Sequence, residues 1–299
     1  MTNFRTRAEQ ALEETGAPAS FRSVIEKELL HYEILFALRT SPMFGRLTFQ
    51  GGTALRLCYG SRRYSEDLDF AVGPDFDPAD FAGLASIIRK RIADEQGLEV
   101  EIIEPKPRRH DQKVAVDTWK IRVVTAPERP DIPKQRIHLE FASIPAYSRE
   151  VRALRRNYTS LPSGYEELRV NVETMDEILD DKLKALVSAS PERVRYRDLW
   201  DIPWLLQQGA TFTVEQVKQK VADYGVEDFP AALEYTLEHL SDCIHGGFVA
   251  EMGRFIPPSV AARTLEQPGF LDALASENRR ALEQVRQGLS PKPGPLFPM

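Results

Sequence analysis

The chain has 299 residues, 42% of them hydrophobic, and a formal net charge of −6. That length and apolar content suit one large or two coupled globular domains and exclude a disordered chain. The acidic balance excludes a general basic field for nucleic acid, so any such contact must come from local basic patches.

The N-terminal segment MTNFRTRAEQALEETG lacks the apolar run of a signal peptide, and no stretch approaches the roughly 18 apolar residues of a membrane span. A cytoplasmic protein without membrane contact is therefore expected. The two cysteines, Cys58 and Cys243, are far apart with no CxxC partner and support neither a disulfide framework nor a zinc site. In chain order, residues 24–39 carry Val24, Ile25, Leu29, Ile34, Leu35 and Leu38 at amphipathic helical spacing, and Ser41 and Pro42 stop the helix. A short apolar segment, Leu47–Phe49, runs into Gly51 and Gly52, TALRLCYG reads as a short helix, GSRRYSE as a loop and DLDFAV as an alternating strand. Further strands are expected at 98–104, 119–125 and 136–144. Beyond about residue 165 helical patterns take over. Thr174 and Glu177 form a capping-box spacing for a helix over 175–188, and more helices are expected at 213–223, 228–243 and 270–288. The organisation is thus α/β (α+β): a small mixed-sheet domain with N-terminal helices over 1–165, a helical domain over 166–290, and a loose tail at 291–299.

The chemistry lies in FQGGTALRLCYGSRRYSEDLDF, residues 49–70. Side chains at i and i+2 of a strand point the same way, so Asp67 and Asp69 share one face while Leu68 and Phe70 face the core. Two carboxylates on one rigid strand suit a hard cation such as Mg²⁺, or Mn²⁺ in its place, and such ions serve phosphoryl transfer. Gly51 and Gly52 open a helix, where backbone N–H groups can approach a phosphate, and Thr53 could add a hydroxyl. The glycine pair is not a Walker A loop, which would end in Gly-Lys-Ser/Thr.

GGTALRLCYGSRRYSEDLDF, followed by DDKLKALVSASPERVRYRDLWDI, resembles the AbiEii/AbiGii-type nucleotidyltransferase toxins, relatives of the MenT toxins within the polymerase-β-like nucleotidyltransferase superfamily. The likeness runs over roughly residues 20–210 and keeps the motif order. It implies a polymerase-β-like domain, transfer of a nucleotide from an NTP to an acceptor such as RNA, plausibly a tRNA end, and a toxin with a separately encoded antitoxin. It also implies that Gly52 and Thr53 hold the triphosphate, that Asp67 and Asp69 hold metal, that Ser65 serves nucleotide handling, and that Lys182 and an aspartate of RDLWD act from the helical domain. A non-catalytic nucleotide- or partner-binding module on the same fold, or transfer to a small molecule or a protein, stays open at this level.

Helix geometry addresses the last two residues. At about 100° per residue, Lys182 falls inside the stripe of Met175, Ile178, Leu179, Leu183 and Leu186, and Lys184 falls roughly 160° away. An ammonium in an apolar stripe needs a partner, for which triphosphate oxygens would serve, whereas Lys184 reads as an ordinary surface residue. Removing Lys182 is then expected to cost activity and to raise thermal stability if it changes it, and removing Lys184 to do almost nothing. Asp198 lies nearer the apolar stripe of RDLWDIPWLL than Asp201. A helix that began at Asp201 would instead make Asp201 its N-cap and place Pro203 in its first turn. Asp198 would then orient Lys182 or act as a base.

Glu140, on the alternating segment RIHLEF with His138 on its face, is the candidate third carboxylate, with a salt-bridged sheet surface as the alternative. Arg62 and Arg63 are either solvated loop charges or contacts to phosphates or RNA, and the same choice holds for Arg193, Arg195 and Arg197. Arg152, Arg155, Arg156 and Tyr158 form a local basic patch with an aromatic, read either as an exposed helical face or as a contact to RNA. The histidines, His110 among them, show no zinc-hydrolase spacing, and GxSxG is absent.

Overall fold

The computed structural model describes residues 3–106, 114–129, 131–190 and 193–289; His110 and the tail expected at 291–299 lie outside them. The chain divides into two compact units, one running to Thr174 and taking in Gly253–Arg263, the other comprising Met175–Met252 and the chain from Thr264 onward.

The first unit holds helices α1 (Phe4–Thr15), α2 (Arg22–Leu38), α3 (Gly51–Ala54), which continues as a π-turn over Leu55–Tyr59, and α4 (Leu84–Arg89). Its seven strands are β1 (Thr48–Gln50), β2 (Leu68–Ala71), β3 (Glu99–Ile103), β4 (Val116–Val124), β5 (Gln135–Ala142), β6 (Arg149–Ala153) and β7 (Arg169–Glu173). They form one mixed sheet in the order β3-β4-β5-β2-β1-β7-β6. β2 is central, parallel to β5 and antiparallel to β1. Its register is held by a row of stacked rings: Phe70 lies 5.1 Å from Phe49 and 5.5 Å from Phe141. A slip of one residue would turn this row outward and Asp67 and Asp69 into the core, so the ring row fixes which face carries the carboxylates. β6 and β7, absent from the sequence expectation, carry the sheet past residue 165.

Helix α2 departs from the amphipathic pattern. Its apolar residues Ile25, Leu29, Ile34, Leu35 and Leu38 are buried, but so are Glu26, Glu28, His31 and Glu33. Each of these has a partner: Glu26 accepts from Thr125 at 2.7 Å, Glu28 meets Arg56 at 2.8 Å, and Glu33 binds Arg7 at 2.8 Å and Arg91 at 2.7 Å. A helix packed on all sides can keep charges only in such pairs, and spacing alone does not reveal the partners.

His31 is the member of this set whose free side chain titrates near neutrality. Its Nε2 donates to the carbonyl of Glu66 at 2.9 Å, and burial pushes its pKa down from 6.5 to about 4. The unfolded chain therefore binds a proton between those values that the folded chain refuses. His31's contribution to stability is complete above about pH 6.5 and falls through the window to about pH 4, by roughly 3 kcal/mol in all. His31→Gln, which keeps a donor for Glu66, should show a shallower loss of Tm between pH 7 and 5 than the wild-type chain. Parallel slopes would contradict this.

The second unit consists of α5 (Met175–Val187), α6 (Tyr196–Gln207), α7 (Val214–Asp223), α8 (Phe229–Met252) and α9 (Phe270–Leu289). α5 packs against α6, α7 and α8, and α9 packs against α6, α7 and α8. Because α5 is covered on several sides, Lys184 is buried, not a surface residue. Its ammonium sits 3.0 Å from the centre of the Tyr224 ring, and burial pushes its pKa down to about 8. Lys220, also buried, bonds Glu177 at 2.6 Å and Asp181 at 3.0 Å. The two residues with capping-box spacing have other partners: Glu177 meets Lys220 at 2.6 Å, and the Thr174 amide donates to Ser148 O at 3.1 Å. α6 begins at Tyr196, so Pro203 lies inside the helix and Asp201 is not an N-cap. Among the described residues no helix is long and apolar enough to cross a membrane.

Candidate active site

In the first unit the site is built on β1, β2 and the loop between them. Asp69 pairs with Gln50 on one side and Glu140 on the other, and Leu68 and Phe70 are buried beneath it. Asp67, just before β2, accepts at Oδ1 from the backbone N–H of His138 at 3.0 Å, and the His138 Nδ1 lies 3.3 Å from the same oxygen. Asp67 and Asp69 are both half-buried, as expected for carboxylates on the face opposite the core.

The glycine pair has separate reasons at its two positions. Gly51 has φ +76°, and a Cβ there would lie 2.7 Å from Asp69 Oδ2. Its missing side chain avoids crowding that carboxylate oxygen. At Gly52 a Cβ would overlap the guanidinium of Arg63 and lie 3.0 Å from Ser65 Oγ. Arg63 is fully buried and donates to Tyr64 O at 2.9 Å, so it supports the glycine turn from within and is neither a solvated charge nor an RNA contact. Arg62 is exposed. Gly51→Ala should cost about 1–2 kcal/mol for the left-handed backbone and displace Asp69, so activity should fall further than the loss of Tm explains. A variant as active as wild type would show that Asp69 needs no clear approach.

The loop carrying Ser65 and Asp67 is fastened at several points. The Thr53 hydroxyl donates to the carbonyl of Asp67 and so supports the aspartate's backbone. Lys27 meets Glu66 at 2.9 Å, Arg56 donates to Ser61 O at 3.2 Å, and the Tyr64 amide donates to Phe255 O at 2.8 Å. Ser65 is buried beside Gly52. Sequence reading missed Lys27, His31, Arg56 and the His138 amide as supports, since nothing in their spacing marks them.

Glu140 shares the face of Asp69 in parallel register and takes a 3.5 Å contact from Thr118 Oγ1. Among the described residues no three His, Cys, Asp or Glu side chains are gathered closely enough to enclose an ion. Two carboxylates, with Gly51 placing no side chain against Asp69, nonetheless fit Mg²⁺, which is held by one or two carboxylates and completed by water and substrate phosphates.

In the second unit, Lys182 is buried and its ammonium binds Asp198 Oδ1 at 2.6 Å and Asp201 Oδ2 at 3.0 Å. Both aspartates therefore face the lysine, and the choice between them dissolves. Arg195 takes the other oxygen of Asp198. Burial opposes the charge on Asp198, but Lys182 and Arg195 outweigh it and hold its pKa well below the usual carboxylate range. So firmly ionised a carboxylate is a poor general base and a good orienting group. The expected basic patch does not form a stacking platform: Tyr158 is buried, Arg152 meets Glu150 at 2.9 Å, and Arg156 donates to Thr159 O at 2.8 Å.

A mixed sheet that presents two aspartates beside a left-handed glycine turn is the arrangement that the motif resemblance leads one to expect of a nucleotidyltransferase. The sequence matches the family described as "Nucleotidyl transferase AbiEii toxin, Type IV TA system" over residues 33–294, and the chain belongs to that family. Such toxins act with an antitoxin. Among solved structures the fold is similar to MenT4, a nucleotidyltransferase toxin from Mycobacterium tuberculosis H37Rv, with 18% identity, 97% of this chain and 99% of that chain covered, and a TM-score of 0.53. JHP933 from Helicobacter pylori aligns with 20% identity over 89% of this chain and 93% of its own, with a TM-score of 0.47. No curated protein sequence matches.

Proposed function

We propose that the protein transfers a nucleotide from an NTP, with Mg²⁺ or Mn²⁺, to an RNA acceptor such as a tRNA end, and that this transfer is its toxic act. The observation that carries the reading is Asp69 on a register-locked strand with Asp67 just before it, and Gly51 placing no side chain against Asp69. When bound by these carboxylates, a divalent cation neutralises phosphate charge and favours loss of pyrophosphate. The chain's own residues prepare that step. The His138 amide and Thr53 fix the carboxylate and the backbone of Asp67, and Gly51 keeps bulk away from Asp69. The family resemblance makes Lys182 a cation for the triphosphate, and Asp198 and Asp201 hold its ammonium within the second unit. Arg195 holds the other oxygen of Asp198, so two cations and two carboxylates make up the cluster. The RNA acceptor and the antitoxin's separate gene rest on the family resemblance.

Induced expression in a bacterial host should stop growth, and Asp67→Asn should abolish the effect at equal protein level. Unchanged growth with well-expressed wild-type protein in several hosts would overturn the toxic role and leave the enzyme class standing. Recovery of label from the nucleotide on a protein or small molecule, with RNA unlabelled, would overturn the acceptor.

A further inference from the structure

Pro203 lies inside α6 and has no amide hydrogen, so the carbonyl four residues back, that of Leu199, lacks its helical partner. Leu199 is buried, and water is no ready substitute. The side-chain amide of Asn278, on α9, donates to Leu199 O at 2.9 Å and to Leu274 O, one turn back on its own helix, also at 2.9 Å. Asn278 is fully buried, and its own oxygen Oδ1 has no hydrogen-bond partner among the described residues. The reverse amide orientation would set that oxygen against two carbonyls, so the residue is held for its two donors. The carbonyl it serves lies between Asp198 and Asp201 in the chain, the two residues that hold Lys182.

We propose that Asn278 is a positioning residue for nucleotidyl transfer: its amide replaces the hydrogen bond that Pro203 cannot make and so fixes the turn of α6 that aims Lys182. The inference rests on the reading that Lys182 and its carboxylates act in transfer. It gives the C-terminal helix, which carries no recognisable motif, a defined task. Without the clamp the Leu199 carbonyl is orphaned beside a proline that already weakens the helix, and the two carboxylates lose their fixed spacing. A contact that strengthens as charge moves should then be lost from kcat and not from KM.

The test uses four full-length chains: wild type, Asn278→Ala, Pro203→Ala and the double variant, the last two regaining a backbone N–H at position 203. Two readouts are needed: kcat and KM for the NTP well below every Tm, and amide hydrogen exchange over residues 196–207, which requires no activity. The expected result for Asn278→Ala is faster exchange in α6 and a kcat lowered on the order of 10- to 100-fold, with KM within about twofold. The double variant should recover most of both. A wild-type kcat in Asn278→Ala despite a lower Tm would reduce the residue to a structural one, and a double variant no better than the single would break the link to Pro203; either overturns the proposal. Should Asn278→Ala fail to fold, the double variant must fold, and its failure would count against the clamp. A wild-type chain that transfers nothing would refute the functional reading itself, and the exchange rates would still decide whether Asn278 and Pro203 are coupled.

Discussion

Asp67→Asn and Asp69→Asn should each lower nucleotide transfer by at least about a thousandfold, the several kcal/mol that metal-borne charge stabilisation supplies. Stability should barely change, within about 0.5 kcal/mol, because both side chains are half-buried at the face of the sheet and not in its core. For Asp67 the substitution is mild in a second sense. An asparagine oxygen can still accept the His138 amide that holds Oδ1 at 3.0 Å, so the variant loses charge and keeps geometry. Initial rates at saturating NTP, with melting curves for each chain, separate the two effects. Chelating the divalent cation should reproduce the activity loss in the wild type and add nothing in the variants. Activity within a few-fold of wild type in both variants would remove the carboxylate pair from the chemistry.

Lys182→Ala is expected to lose on the order of 30- to 1000-fold in rate, the roughly 2–4 kcal/mol of a charge-assisted contact in a water-poor site. It should also lose stability. The apolar stripe alone suggests that removing this cation would be neutral or favourable, but the structure gives the ammonium two buried carboxylates. Deleting one partner of a buried ionic group costs about 3–5 kcal/mol, because the charges left behind are neither hydrated nor paired. Lys182→Ala/Asp198→Asn should therefore be more stable than Lys182→Ala alone while remaining inactive. Lys184→Ala, in contrast, should leave kcat near wild type but lower Tm, since its stem is buried and its charge rests over Tyr224. A Lys182→Ala chain as stable as wild type would mean that the cluster is solvated and the pairing is weak. A Lys182→Ala rate equal to those of wild type and Lys184→Ala would remove Lys182 from catalysis.

The parts of the fold that sequence discloses are those with one buried face. β2, β4 and β5 alternate cleanly, and their buried residues Leu68, Phe70, Trp119, Ile121, Leu139 and Phe141 are the ones the alternation marks. Lys182 is conspicuous for the same reason, as a charge where the period demands an apolar group. Where an element is covered on more than one side, the pattern misleads. α2 hides Glu26, Glu28, His31 and Glu33 behind partners drawn from distant segments, and α5 buries Lys184 because α7 covers the face that the wheel leaves open. Short strands rich in arginine escape as well: REVRA and RVNVE become β6 and β7 only because each pairs with the other and β7 with β1. Arg63 illustrates the limit. Its neighbours in sequence make it a loop charge, and only the missing Cβ of Gly52 explains how it is buried.

The central claim is that a nucleotide moves from an NTP to an acceptor at the Asp67 and Asp69 face. The most direct test incubates the full-length protein with total RNA, a divalent cation and each NTP carrying label at either the α- or the γ-phosphate. The account predicts label on RNA from one or more α-labelled nucleotides, matching release of pyrophosphate, no label from the γ-phosphate, and none of this with Asp69→Asn. Transfer of the γ-label, or α-labelling that Asp69→Asn leaves intact, would contradict it.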